Sequence, residues 1–276
     1  MLSQNIPVRR PALDFEREIP RFYLEDNPLK THFFNAINLA FPDGERFFVR
    51  SVHDHLADIE DPALRADVRA FCGQEGQHAN QHERFFEVLR RQGYEVDSMV
   101  GRVRRIARWS NEHLPRGLRL SMTAGAEHYT ATVAGLALDH GMLDDCDSTM
   151  RELIEWHAIE EIEHKHVAFD VLRLAHPWNY PLRVAGFAIA TLVALVLSYG
   201  GTRAFMMQDA RARRITQADY ITARGKLRGR KLQRFRRALQ WQLLAYLKPG
   251  FHPNQHDDAA LLERIRPLVD SRLVSA

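Results

Sequence analysis

The chain has 276 residues, of which 45% are hydrophobic and 26% are charged, a composition typical of a soluble globular protein. Its two cysteines, Cys72 and Cys146, exclude a disulfide framework and a cysteine-rich zinc site, and they favour a reducing compartment. The net charge of +3 is unevenly distributed, because the residues from Thr202 onward contain 16 Lys and Arg against 6 Asp and Glu. We therefore expect an acidic body and a basic tail, without a secretory signal at the N-terminus.

Helical periodicity runs through most of the chain, and strand-like alternation is absent from the sequence. We predict an all-α protein, built on a four-helix bundle with additional C-terminal helices. The predicted organisation is an N-terminal arm at 1–30, the bundle at 31–176, a hydrophobic helix at 177–207 and a basic helical region at 208–276.

Capping residues and chain breakers give the bounds of the bundle helices. Asp43 and Asp61 are predicted to cap the first two helices, and Pro62 suits the first position of the second. A basic connector is predicted between Gly93 and Pro115. The predicted bundle helices lie at about 44–58, 62–91, 116–140 and 147–175, and those of the tail lie near 217–247 and 257–272.

The segment VAGFAIATLVALVLSYGGT, at 184–202, has no charged residue over nineteen positions. This length is at the lower limit for crossing a bilayer, and Trp178, Tyr180 and Tyr199 lie near its ends as interfacial aromatics often do. Because the basic tail and the cysteine content both favour the cytoplasm, we predict that this helix covers the bundle or lies in a membrane interface. A fully buried fifth helix is the alternative.

The segment EWHAIEEIEHKHVAFD, at 155–170, contains ionisable residues on a helix face that is predicted to be buried. His157, Glu161 and His164 share one face of a helix, and apolar residues continue that face on both sides. Burial of these polar groups is costly unless something compensates them.

Each predicted bundle helix contributes one such polar unit. In chain order these units are Glu45, Glu75-x-x-His78, Glu127 and Glu161-x-x-His164. A Glu and a His at positions i and i+3 present their side chains to the same point beside a helix, so the four units together form a ligand set for two metal ions. Mixed oxygen and nitrogen ligands favour iron, with manganese or zinc as alternatives.

This arrangement resembles the ferritin-like di-iron carboxylate superfamily over roughly residues 30–175. The segments FPDGERFF, GQEGQHANQHERF and EWHAIEEIEHKHVAFD also resemble a bacterial family labelled predicted metal-dependent hydrolases, and that resemblance extends over most of the chain. The spacing His157-x3-Glu161-x2-His164 is similar to that of di-iron arylamine N-oxygenases, in which a third histidine joins the usual six ligands. The resemblance therefore adds His157 to the ligand set, while His82 and Glu160 are expected to contact the ligands from outside.

These residues favour a non-haem di-iron oxidase or oxygenase that activates O₂ and acts on an apolar or aromatic substrate. A dinuclear metal-dependent hydrolase, as the family label suggests, is the alternative, since two metals also activate water. Metal binding or storage without turnover is a third possibility.

The expected partners follow from this reading of the chain. They are a small-molecule substrate with O₂, an electron donor, a second copy of the chain, and a membrane surface contacted by the 184–202 helix and the basic tail. Nucleic acid is not expected, because the basic tail contains no recognised nucleic-acid motif. We predict a cytoplasmic protein, peripheral at the inner membrane.

Overall fold

Eleven α-helices are present in the computed structural model, which describes residues 6–177 and 180–274. They are α1 (Pro28–Asn38), α2 (Phe41–His53), α3 (Pro62–Arg91), α4 (Asp97–His113), α5 (Arg116–Asp139), α6 (Ser148–His164), α7 (Val167–Ala175), α8 (Tyr180–Arg211), α9 (Gln217–Lys226), α10 (Arg230–Ala245) and α11 (Ala259–Val274). Among these described residues, the only β-type pairing is an isolated bridge between Leu24 and Cys146. The predicted all-α bundle with additional C-terminal helices is confirmed.

The bundle is formed by α2, α3, α5 and the consecutive pair α6 and α7, which pack against one another. Its helices begin where the sequence supplies caps. The Asp61 side chain accepts a hydrogen bond from the Ala63 amide at the start of α3, and the Asp147 side chain accepts from Thr149 at the start of α6. At 30 residues, α3 is about 45 Å long and extends through the whole bundle.

Several predicted helix bounds were wrong. The predicted fourth helix is divided at Lys165, whose ammonium group turns towards Asp258 at 2.5 Å, and the basic helix near 217–247 is divided at Gly229. The predicted connector after Gly93 contains α4 instead, because Met99 and Val103 form a buried stripe among its arginines. The predicted arm also ends earlier, since Asn27 caps α1.

Two apolar cores lie at different heights along the bundle. On α3, Phe71 belongs to one core and Phe85 to the other, while Glu75 and His78 lie between them. The same order holds across α6 and α7, where the two cores contain Ile159 and Val167 respectively. The fold therefore places a buried polar layer between two apolar cores.

The hydrophobic segment forms part of α8, which packs along α5 and α1. By length and composition α8 could cross a membrane, although core helices of soluble proteins pass the same test. Only 17% of an apolar 18-residue stretch of α8 is fully buried, and the other residues of this stretch are partly or largely exposed. The predicted packing on the bundle is present along one face only, and Trp178 lies outside the described residues.

Candidate metal centre

All seven predicted ligands converge in the polar layer of the bundle. Each of them is at most 5% exposed to solvent. Glu45 comes from α2, Glu75 and His78 from α3, and Glu127 from α5, while α6 supplies three residues. The predicted ligands from α6 are His157, Glu161 and His164.

The predicted ligands form three groups, the third of which overlaps the other two. Glu45, His78 and His157 offer three donor atoms that lie within 4.8 Å of one another, and Glu75, Glu127 and His164 do the same. A third group of the same compactness consists of Glu75, His78 and Glu161. Because Glu75 and His78 each belong to two of the three groups, the groups form one continuous centre.

Glu161 lies between the two histidines of its own helix. Its Oε1 is 2.8 Å from Nε2 of His157, and its Oε2 is 3.8 Å from Nε2 of His164. The Thr130 hydroxyl donates a hydrogen bond to Oε2 and so restrains the carboxylate. Glu161 is therefore placed to contact a cation in either half of the centre.

Eight oxygen and nitrogen atoms that could bind a metal are buried in the centre and have no hydrogen-bond partner. They are both carboxylate oxygens of Glu45, Glu75 and Glu127, together with Nδ1 of His78 and Nε2 of His164. Nε2 of His164 approaches oxygens of Glu75 and Glu127 at 3.1 Å without the geometry of a hydrogen bond. Unsatisfied buried polar atoms are rare, and cations would satisfy all of these together, so the residues fit a metal centre.

A hydrogen-bond chain fixes the orientation of His157. The side-chain amide of Asn38 donates to the Phe34 carbonyl, which leaves its Oδ1 to accept from Nδ1–H of His82 at 2.5 Å. Nε2 of His82 then accepts from Nδ1–H of His157 at 2.6 Å. The remaining nitrogen of His157, Nε2, faces Oε1 of Glu161 at 2.8 Å, and it would present its lone pair to a bound cation.

Gln74 fixes His164 in a similar way. Its amide nitrogen donates to the Pro7 carbonyl at 2.9 Å and to Glu163 at 3.2 Å, so its oxygen accepts from Nδ1–H of His164 at 2.8 Å. His78 donates from Nε2–H to Oε2 of Glu160 at 3.0 Å. Each of these histidines is thereby held with its other nitrogen facing the centre.

Comparison with known proteins agrees with this metal-binding geometry. A family described as "Predicted metal-dependent hydrolase" matches residues 7–257. The chain belongs to this family. No curated protein and no solved structure matches the chain.

The family match extends well beyond the bundle, from the N-terminal arm to the residues before α11. The arm contributes Arg9, which is 7% exposed and forms ion pairs with Glu163 at 2.7 Å and Glu160 at 3.3 Å. Because Glu160 also accepts from His78, and Gln74 donates to both Glu163 and the Pro7 carbonyl, the arm is connected to the histidines of the centre.

Electrostatics in the centre oppose ionisation of two of the four carboxylates, while contacts with histidines lower the pKa of the other two, Glu75 and Glu161. Burial raises the pKa of Glu127 to about 8, and repulsion by the nearby carboxylates contributes to this increase. Burial likewise raises the pKa of Glu45 well above its usual range. Burial alone lowers the pKa of His78, but its contacts with Glu160 and Glu75 raise it to about 10. The raised pKa values of Glu45, Glu127 and His78 favour protons at these three residues, and bound cations would displace such protons.

Of the two residues expected to contact the ligands from outside, His82 forms a hydrogen bond with His157 and Glu160 forms one with His78. Sequence analysis missed Gln74, Asn38 and Arg9. Gln74 could have been identified from the sequence, because it is a polar residue on the helix face that contains Phe71 and His78. No sequence pattern identifies Arg9, because it is 151 residues from Glu160 along the chain.

Proposed function

We propose that the protein is a metal-dependent hydrolase with a dinuclear centre in its helical bundle. The observation that carries the proposal is the set of eight unpartnered donor atoms at the point where four helices meet. The family description supports the same class of reaction. When bound, two divalent cations would activate water and polarise the carbonyl or phosphoryl group of a substrate.

In this proposal the chain's residues have distinct tasks. Glu45, His78 and His157 hold one cation, and Glu127 and His164 hold the other with Glu75. Glu161, which lies between His157 and His164, would supply a further carboxylate to the cations. Asn38, Gln74 and Glu160 hold the histidines in the required orientation.

An O₂-activating oxidoreductase is the second candidate, and the composition and burial of the ligand set favour it. The ligands are carboxylates and imidazoles without cysteine, a combination that suits iron. Their near-complete burial excludes bulk water and suits a small reactant. The ring of Phe41 lies 4.6 Å from that of His157, which gives this side of the centre an apolar wall suited to an apolar or aromatic substrate.

Metal content tests the centre itself. Protein purified from metal-replete cells should contain two metal ions per chain, measured by inductively coupled plasma mass spectrometry. Glu75→Gln should lose at least one of them, because Glu75 belongs to two donor groups. Glu87→Gln on the same helix should lose none, since the Glu87 side chain is 62% exposed. Full metal content in Glu75→Gln would contradict the proposal.

Reaction class is tested on protein loaded separately with zinc, manganese and iron(II). A hydrolase should release nitrophenol from a nitrophenyl ester or phosphodiester panel, and Glu75→Gln should abolish this activity. Consumption of O₂ by the iron(II) protein with a chemical reductant, without any hydrolysis, would instead support the second candidate.

A further inference from the structure

An exposed apolar stripe runs along the face of α8 that is turned away from the bundle. Leu192, Leu195, Val196 and Tyr199 are 57–74% exposed. Their spacing of i, i+3, i+4 and i+7 places them on one side of the helix. Four large apolar side chains in one row, uncovered by the described protein, indicate a surface that meets another apolar phase or molecule.

The opposite face of α8 is closely attached to the bundle. Gly125 of α5 lies so near α8 that a Cβ atom there would be 2.7 Å from Cα of Phe187. Gly201 of α8 lies close to Ala36 of α1, since a Cβ atom there would be 2.6 Å from Cβ and 3.2 Å from Cα of Ala36. Because small residues bring these backbones together along the length of α8, the helix cannot span a bilayer without breaking these contacts.

A second exposed stripe lies on α10. Arg230, Arg234, Arg237, Trp241 and Leu244 are all exposed and recur at helical spacing on one side. Trp241 is 76% exposed, the largest value among the exposed large hydrophobic residues. The stripe thus combines cationic side chains with an aromatic and an aliphatic one, which is the composition of helices that lie in a membrane interface.

Most of the positive charge in this region is not neutralised by the described protein, although Lys231 forms an ion pair with Asp144 at 3.1 Å. Residues 217–248 contain nine Lys and Arg and a single acidic residue, Asp219. Within the described part of the chain, the guanidinium groups of Arg230, Arg234 and Arg237 form neither an ion pair nor a side-chain hydrogen bond. Free cationic groups beside an apolar face attract an anionic surface.

The two stripes belong to neighbouring helices. Both α8 and α10 pack on α5. At one end of α8, the ring of Phe187 stacks on that of Tyr246, which directly follows α10, at 4.7 Å. The guanidinium of Arg183 donates to the Lys248 carbonyl at 2.6 Å and holds the same two ends together.

We propose that the exposed stripes of α8 and α10 form one docking surface for an anionic lipid bilayer, with both helices lying along the membrane plane. A bilayer matches both parts of the surface. Its acyl region would contact the apolar stripe of α8, and its phosphate groups would form ion pairs with the arginines of α10. A second copy of the chain fits less well, because a two-fold interface would bring the same unneutralised arginines together. The proposal is independent of the reaction that the metal centre performs.

Vesicle co-sedimentation of the full chain tests the proposal. The protein should sediment with vesicles of phosphatidylcholine containing 30% phosphatidylglycerol, and at least tenfold less with phosphatidylcholine alone. Arg234→Gln/Arg237→Gln should weaken binding at least tenfold in low salt. Arg69→Gln/Arg173→Gln, which removes the same charge from exposed positions on α3 and α7, should leave binding unchanged.

The apolar part of the surface is tested by Trp241→Ala, which should weaken vesicle binding several-fold. Trp109→Ala is the matched control, since Trp109 is 55% exposed on α4 and lies outside both stripes. Circular dichroism verifies that each variant is folded. Equal binding to neutral and anionic vesicles, a stable dimer in light scattering that α8 and α10 substitutions dissociate, or carbonate-resistant membrane insertion would each overturn the proposal.

Discussion

At the scale of single residues, the nitrogen that each histidine presents to the centre is set by its outer hydrogen-bond partner. His157 is held by His82, and His82 in turn by Asn38, whose amide orientation is fixed by a backbone carbonyl. Such partners commonly contribute a factor of ten to one hundred to metal affinity, because they hold the ligand in one tautomer and one orientation.

His82→Ala should therefore weaken metal binding by roughly ten- to one-hundredfold while retaining the fold. Competition with a fluorescent chelator measures the affinity. His53→Ala is the control, since His53 is exposed at the end of α2 and contributes nothing to the centre. An unchanged affinity in His82→Ala would show that His157 does not depend on its partner.

A second single residue, Arg9, stabilises the fold through buried ion pairs. It pairs with Glu160 and Glu163, whose side chains are 0% and 3% exposed, and its Nε donates to Asp270 at 2.7 Å. Arg266 of α11 also binds Glu163, at 2.9 Å. Removal of one member of a buried ion pair is costly because it leaves the other charge uncompensated.

Arg9→Met should lower the free energy of unfolding by about 3–5 kcal/mol. Urea denaturation of the metal-free protein measures the change. Arg10→Met, at the exposed neighbouring position, should cost about 0.5 kcal/mol or less. Adding Glu163→Gln to Arg9→Met should recover part of the loss, and failure to do so would contradict the assigned charge pairing.

At the scale of elements, the contact between α5 and α8 depends on glycine. A Cβ atom on Gly186 would overlap Ser121 of α5, including its backbone. A Cβ atom on Gly200, in the same helix, would meet nothing within 4 Å. These two glycines therefore give a matched test of whether α8 is held against the bundle.

Gly186→Ala should destabilise the protein by about 1–3 kcal/mol, because the two backbones must separate to admit the methyl group. Gly200→Ala should stabilise it by about 0.5–1 kcal/mol, since alanine loses less conformational entropy in a helix. Thermal unfolding of both variants measures the difference. Equal melting temperatures would mean that α8 does not pack on α5 as described.

At the scale of the whole molecule, the buried polar layer divides the apolar core in two. The free energy of unfolding should therefore depend on whether cations are bound in this layer. Without cations, the carboxylates of Glu45 and Glu127 are held near other carboxylates in a buried site, and burial raises the pKa of each. Cations that bind only the folded chain shift the folding equilibrium by mass action.

Metal removal should therefore destabilise the wild-type protein. At a free metal concentration about a thousand times the dissociation constant, the stabilisation should be about 4 kcal/mol. Differential scanning fluorimetry with and without a chelator measures the shift in Tm. Glu75→Gln should show a much smaller shift, and an equal one would place the stabilising metal elsewhere.

The sequence by itself determined the helical class and six of the seven residues that meet in the centre. The class and these six residues follow from periodicity, because residues spaced by three or four positions share one face of a helix whatever that face contacts. The seventh, His157, was added by the resemblance to di-iron arylamine N-oxygenases. The same rule explains why His82 and Glu160 were expected beside the ligands. The stripe of Met99 and Val103 in α4 follows it as well, although the surrounding arginines obscured it.

Only the tertiary structure decided which side chains from distant parts of the chain complete the site. Arg9 reaches Glu160 and Glu163 across about 150 residues of sequence, and local periodicity carries no information about such a contact. The same holds for the face of α8 that packs on α5, because α8 is apolar on all sides and its sequence does not distinguish the buried face from the exposed one. Backbone approach at Gly125 and Gly186 makes that choice, since only small residues let the two helices come so close.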